Sequence, residues 1–174
     1  MISHIKRART LSRGGAVVAL ALLAAGCSPA ERPLVAIGKG TDGDVRALLR
    51  PCSDGDAIQE VVFLRSDEKG DTADRAAQDG WSIHPIGSVT GEQEFSLFKL
   101  PTGWQGKADS VTKLASEGDY SVRFIVGANQ TVRYKALTRF TQADIESLAP
   151  GQWWCDGKAM SRAEFLAQVD DACS

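Results

Sequence analysis

Histidine is almost missing from this chain. Only His4 and His84 occur, and the single ring downstream of residue 26 excludes a multi-histidine metal site. There is no Cys-x-x-Cys pair, which removes the common thiolate frameworks for zinc. There is no complete Gly-x-x-x-x-Gly-Lys-Ser/Thr loop, which removes the usual nucleotide cradle. No apolar run reaches the ~20 residues that span a bilayer. Internal repeats and low-complexity tracts are absent, so a solenoid is excluded. An excess of positive charge is also lacking: beyond residue 26 there are 16 basic and 22 acidic side chains, a formal charge of −6. That balance favours solubility and argues against nonspecific binding of nucleic acid or anionic lipid.

What is present begins at the amino terminus. Residues 1–13 carry Lys6, Arg7, Arg9 and Arg13 and no acid, and residues 14–26 are an uninterrupted stretch of small and apolar side chains. A basic segment, a short apolar run and a boundary of small residues, in that order, read as a secretory signal rather than a membrane span. Its final residues, Leu23-Ala24-Ala25-Gly26-Cys27, resemble the lipobox of bacterial prolipoproteins, departing from it at Ala24, where leucine is usual. The resemblance implies cleavage after Gly26 and attachment of a diacylglyceryl group to the Cys27 thiol. Two or more acyl chains give stable membrane attachment where one is marginal. The expected localisation is therefore extracytoplasmic, with membrane lipid as a partner through Cys27. The segments read as a signal peptide over 1–26, a lipidated cysteine and short linker over 27–33, and a single domain over 34–174.

With Cys27 lipidated, Cys52, Cys155 and Cys173 remain. Export into an oxidising compartment predicts one disulfide among them. Three pairings are open; Cys52–Cys173 is preferred over Cys155–Cys173 because the longer loop removes more unfolded-state entropy.

The body of the chain reads as strands punctuated by turns. Leu34–Ile37, Val45–Leu49, Ile58–Leu64, Trp81–Ile86 and Phe95–Leu100 are short segments of strand character. The clearest signal is a hairpin: Tyr120–Val126, then Gly127–Gln130, then Thr131–Leu137. In it Val122, Phe124 and Val126 share one face, as do Val132, Tyr134 and Ala136. Helical signals are few. Thr72–Asp79 is one; Thr141 with Asp144 and Ser161 with Glu164 have capping-box spacing, and Phe165, Val169 and Ala172 form an apolar stripe after the second. The fold expected is mainly β: an antiparallel sandwich or curled sheet of about seven strands with one or two short C-terminal helices. Leu49-Arg50-Pro51-Cys52, Phe98-Lys99-Leu100-Pro101 and the Ser161–Phe165 helix start closing at Cys173 are similar to secreted lipoproteins of actinobacteria, which implies an exported, membrane-attached β-rich domain with no assigned activity.

Motifs for chemistry are sparse. Ser82 and His84 point to one side of a strand, but origins ~6.5 Å apart and no orienting acid fall short of a triad. Ser110-Val-Thr-Lys113 has Ser-x-x-Lys spacing without its companion motifs. Gly38-Lys39-Gly40-Thr41 reads as a turn between strands. Asp67, Glu68, Asp71 and Asp74 read as a solvated acidic loop, without the oxygen rhythm of a calcium site. Trp104, Trp153 and Trp154 are the candidate binding residues: Trp104 reads as a loop residue, and of the adjacent pair only one can face inward. The function expected is a noncatalytic, partner-binding or structural envelope role toward a protein or glycan. A small hydrolase and a β-barrel carrier of an apolar ligand are the alternatives. No cofactor, metal or nucleic acid is expected.

Overall fold

A computed structural model describes residues 31–66, 80–107, 111–128 and 131–174. Cys27 and Gly26, the expected 72–79 helix, the acidic loop at 67–74 and Ser110 lie outside them. The described residues form two open sheets and two short helices, mainly β as the alternation implies. The strands are β1 (Glu31–Arg32), β2 (Val35–Lys39), β3 (Val45–Leu49), β4 (Ala57–Ser66), β5 (Gly80–Pro85), β6 (Val89–Thr90), β7 (Gln93–Ser96) and β8 (Trp104–Lys107). They continue with β9 (Asp119–Ala128), β10 (Thr131–Thr141), β11 (Gln152–Cys155) and β12 (Lys158–Ser161); the helices are α1 (Gln142–Glu146) and α2 (Arg162–Cys173). Twelve strands replace the expected seven or so, because strands of two to four residues are too short to display a period.

The larger sheet runs β1-β10-β9-β4-β5-β8, with β6 also on β4; the smaller runs β12-β11-β2-β3-β7. All pairs are antiparallel except β1 on β10. Two residues expected in the linker, Glu31 and Arg32, therefore already belong to the sheet, paired with Lys135 and Ala136. Two polar residues carry no alternation from which a strand could be read.

The expected hairpin is β9–β10, the most extensive pairing in the fold. A bulge between Val132 and Tyr134 corrects its pattern. The extra residue turns Val132 away from the face shared by Tyr134 and Ala136. Inward from the larger sheet come Phe63, Trp81, Tyr120 and Phe140, whose rings stack in series: Trp81–Phe63 at 5.5 Å, Phe63–Tyr120 at 5.5 Å and Tyr120–Phe140 at 5.7 Å between centroids. Burying each ring removes enough apolar area to contribute about 2–3 kcal/mol.

The central strands of the smaller sheet are buried on both faces. Val35, Ala36, Ile37, Ala47, Leu48 and Leu49 have no solvent exposure, which is why they appear in sequence as unbroken apolar runs. One face meets the larger sheet. The other receives α2, whose Phe165 and Val169 are buried. The turn joining β11 to β12 is Asp156-Gly157 with φ of 51° and 77°. Two successive left-handed residues make the type I′ turn that a two-residue hairpin needs. At Phe95–Leu100 the expected strand is shortened: β7 ends at Ser96 and the chain turns through Leu97–Lys99. Similarly Ile86 lies past the end of β5, 65 % exposed.

Candidate functional site

β1 is Glu31–Arg32, and several contacts converge around Arg32. Cys52 and Cys173 are joined, with their Cα atoms 5.3 Å apart, so the end of α2 is tied to the segment after β3. Beside that bond the Arg32 guanidinium donates to the Ala172 carbonyl at 2.9 Å. Its carbon stands 5.4 Å from the centre of the Tyr134 ring. The Tyr134 hydroxyl accepts from the Cys52 backbone N–H at 2.8 Å and donates to Asp56 at 2.8 Å. Asp56, a buried carboxylate, is also paired with Arg133. Burial, more than the neighbouring carboxylate, pushes the Tyr134 hydroxyl up to about 12. A cation, an aromatic hydroxyl and a carboxylate thus hold β1 and α2 in one place.

Cys155 stays a free thiol and is fully buried, with its sulfur 3.4 Å from the Gln168 amide nitrogen of α2. Loss of solvent around it pushes its ionisation up to about 12, so it is a packing residue rather than a nucleophile.

The candidate tryptophans fare differently from one another. Trp104 is not in a loop: it begins β8, is 6 % exposed, and its ring lies 6.0 Å from that of Phe95 across the sandwich. The turn before it, Pro101–Gly103, masked the strand that follows. Trp153 is buried against Gly38, where an added Cβ would lie 2.8 Å from Cε3 of the indole. Trp154, half-buried, points the opposite way and donates to the Arg139 carbonyl at 2.9 Å. The adjacent pair divides between two faces as strand geometry requires, but both rings are spent on packing between layers. None of the three builds an exposed aromatic patch.

Ser82, His84 and a carboxylate from another strand do meet. The Ser82 hydroxyl donates to Glu60 at 2.6 Å, and the His84 Nε2 stands 3.4 Å from Ser82 Oγ and 3.9 Å from Glu60. The order of contacts is wrong for nucleophilic catalysis. The acid engages the serine instead of orienting the ring, and the remaining ring nitrogen lies 3.3 Å from the Gln59 carbonyl. The group sits on the outer side of the larger sheet with His84 exposed, and water is not excluded.

A cleft of about 370 Å³ opens among the described residues. Val45, Phe98, Leu114 and Ile145 give it an apolar floor; Lys39, Asp44, Lys113 and Glu146 ring it with both signs of charge. Lys39 is positioned by the end of β2 and donates to the Glu146 carbonyl of α1 at 3.4 Å. Gly38-Lys39-Gly40-Thr41 is a strand end and turn here, closed by bonds from Gly40 N–H to Asp44 O and from Gly43 N–H to Gly40 O. Neither a phosphate cradle nor a cluster of metal ligands forms among the described residues. The cleft lies where β10 runs out into α1, whereas Tyr134 near the start of β10 reaches the disulfide. Chain entrance and cleft are therefore at opposite ends of the sandwich. The two sheets do not close into a barrel, and the space between them is filled by side chains. No family model, curated protein or solved structure matches the chain.

Proposed function

We propose that this protein is a lipid-anchored, extracytoplasmic envelope protein, held to a bacterial membrane through Cys27. Its folded domain works without catalysis by holding an envelope protein or glycan at the mixed cleft. One observation carries the reading: the chain joins the sheet at Glu31, four residues after Cys27, and is fastened there by the disulfide and the Arg32 contacts, while the cleft opens at the other end. Such a tether reaches about 14 Å when fully extended. It holds the domain near the lipid without occupying the recess. An apolar floor with a few charged groups around it is the usual make-up of a recognition site.

The test is the mass of the amino-terminal peptide from membrane-extracted protein. A peptide beginning at Cys27 with diacylglycerol on its sulfur is expected, and Cys27→Ser should abolish both that mass and membrane recovery. An unmodified Cys27, or a mature chain starting elsewhere, overturns the anchor. For the partner, a photo-crosslinking residue at Thr112 on the cleft wall should capture one envelope component that the same residue at Asp170 on α2 does not.

A further inference from the structure

We infer that the end of the larger sheet at which β10 begins is a second membrane contact, with the turn at Ile86 set into the bilayer that holds the anchor. The inference rests on the anchor reading above and adds an orientation to it: the domain stands on this end, and the cleft faces away from the lipid.

The direction of β1 selects the end. Glu31 pairs with Lys135 and Arg32 with Ala136, in parallel, so β1 is entered from the side on which β10 begins. The register carries that level across the sheet: Lys135 lies beside Ile125, Ile125 beside Glu60, and His84 beside Gln105, with Glu60 3.9 Å from His84. On the tether's side of this row β5 ends at Pro85, and the chain turns through Ile86, Gly87 and Ser88 into β6. The Ile86 N–H donates to the Gly103 carbonyl at 2.7 Å, which brings the Pro101–Gly103 turn alongside. From Glu31 to β5 is four strand spacings, about 19 Å. Tether and turn therefore stand at two corners of one end.

Apolar exposure and charge distinguish this end from the other. Ile86 is 65 % exposed, the most of any large apolar side chain among the described residues, and Leu100, just before the second turn, follows at 46 %. A Cβ added at Gly87 or Gly103 would meet nothing within 4 Å, so both turns stand clear of the domain. Residues 85–91 and 100–106 contain no Asp, Glu, Lys or Arg. Gly127 and Val132, paired where β9 gives way to β10, add none. The charges leading into β4 are spent on one another, Asp54 on Arg50 and Asp56 on Arg133. Asp170 and Asp171 lie at the end of α2, on the side of the smaller sheet, so the contact is confined to the larger sheet and draws nothing from lipid charge. At the far end the cleft is ringed by Lys39, Asp44, Lys113 and Glu146. A charged end keeps its water, whereas an uncharged turn with an exposed isoleucine gains by leaving it.

The tether decides the occupant. Cys27 lies four residues before Glu31 and is joined to β1 from this side by at most about 14 Å of chain, so the bilayer is the surface this end meets. Burying one isoleucine favours the inserted state on the order of tenfold. That is enough once the anchor has made the contact intramolecular.

The experiment uses lipidated protein extracted from membranes and reconstituted into phosphatidylcholine vesicles. A Ser88→Cys variant carries an NBD dye beside Ile86, and a Thr112→Cys variant carries it on the cleft wall as reference. The dye goes to the added thiol, since Cys27 is acylated in this material, Cys52 and Cys173 are bonded and Cys155 is buried. Quenching by a nitroxide on the upper acyl chain should be about tenfold stronger at position 88 than at 112, because the 11 residues of β10 hold the two ends about 35 Å apart. Adding Ile86→Glu should cut the quenching at position 88 to the reference value while the protein still floats with the vesicles. Equal quenching at the two positions, or quenching at 88 that Ile86→Glu leaves unchanged, overturns the inference with the anchor standing. Protein that fails to float overturns the anchor and the inference together.

Discussion

On the smaller sheet, the outward side chains are an interior. Phe165 and Val169 of α2 press on it, Arg46 reaches Asp42 at 3.1 Å and Glu94 at 3.4 Å, and Arg162 at the start of α2 shares Glu94 at 2.9 Å while also meeting Glu92. On the larger sheet, the outward Arg123, Lys135 and Arg139 of β9 and β10 form no ion pair among the described residues, although Glu31 lies opposite Lys135 and Glu60 opposite Ile125. A covered face must match its charges, because an uncompensated one loses its water. An uncovered face need not, since solvated charges cost little to leave without a direct partner and surface pairs are worth little. The same two-layer architecture thus has one outward face closed by α2 and one left to solvent.

That contrast can be broken most severely where α2 is tied down. Removing the disulfide with Cys52→Ala/Cys173→Ala frees a closure of 121 residues and should cost about 4–5 kcal/mol. The urea midpoint measures it. A loss below about 1 kcal/mol would mean that packing alone holds the helix to the sheet.

A matched pair of truncations compares the faces directly. Phe165→Ala empties a fully buried site under α2 and should cost about 3–5 kcal/mol. Leu137→Ala, on the uncovered face, should cost less than about 1 kcal/mol. Equal losses by thermal melting would end the distinction. Next in size is Gly38→Ala, whose methyl group must displace the buried Trp153 ring; a loss of about 1–3 kcal/mol is expected. Valine at Ala47, which faces the sandwich interior, serves as a comparison for overpacking.

The smallest effect is set by pH. Cys155 ionises ordinarily near 9.0 and Tyr134 near 10.0, and both are pushed up to about 12 by burial in the fold. Below pH 9 both groups are neutral in either state and contribute no pH dependence. Above it the unfolded chain loses protons that the folded one keeps, so stability falls as pH rises toward 12. The slope is at most about 1.4 kcal/mol per pH unit for each group. Urea midpoints at pH 8 and 10.5 should differ, and Cys155→Ala should flatten the first part of the decline. A flat profile would mean that the thiol under α2 is wet.

Much of this arrangement is legible along the chain, for a definable reason. Long strands with one buried face alternate, as in Tyr134, Ala136, Thr138 and Phe140, and strands buried on both faces read as runs, as in Val35-Ala36-Ile37. Both capping boxes form as their spacing predicts, Thr141 with Asp144 and Ser161 with Glu164. Short elements are illegible by period. The β11–β12 hairpin announces itself only through Asp156-Gly157, and β8 is hidden behind the Pro101–Gly103 turn, which is why Trp104 reads as a loop residue until its contacts with Phe95 are known. A bulge cannot be read from alternation that continues on paper, so Val132 is misplaced by one face.

By itself, the sequence determined the class of fold, the two C-terminal helices and their caps, and the chemistry available: one histidine beyond the amino terminus, three cysteines there, and no metal or nucleotide motif. These follow from local periodicity and composition, which need no neighbours. Only the tertiary structure decided that Cys173 joins Cys52 while Cys155 stays buried, that the three tryptophans are packing residues, and that Glu60 stops Ser82 and His84 from forming a triad. It also decided which charges lie beside one another in a chain whose sum is negative, as where Glu31 falls opposite Lys135. Net charge is a property of composition, but which charges face one another is fixed by register across strands far apart in sequence.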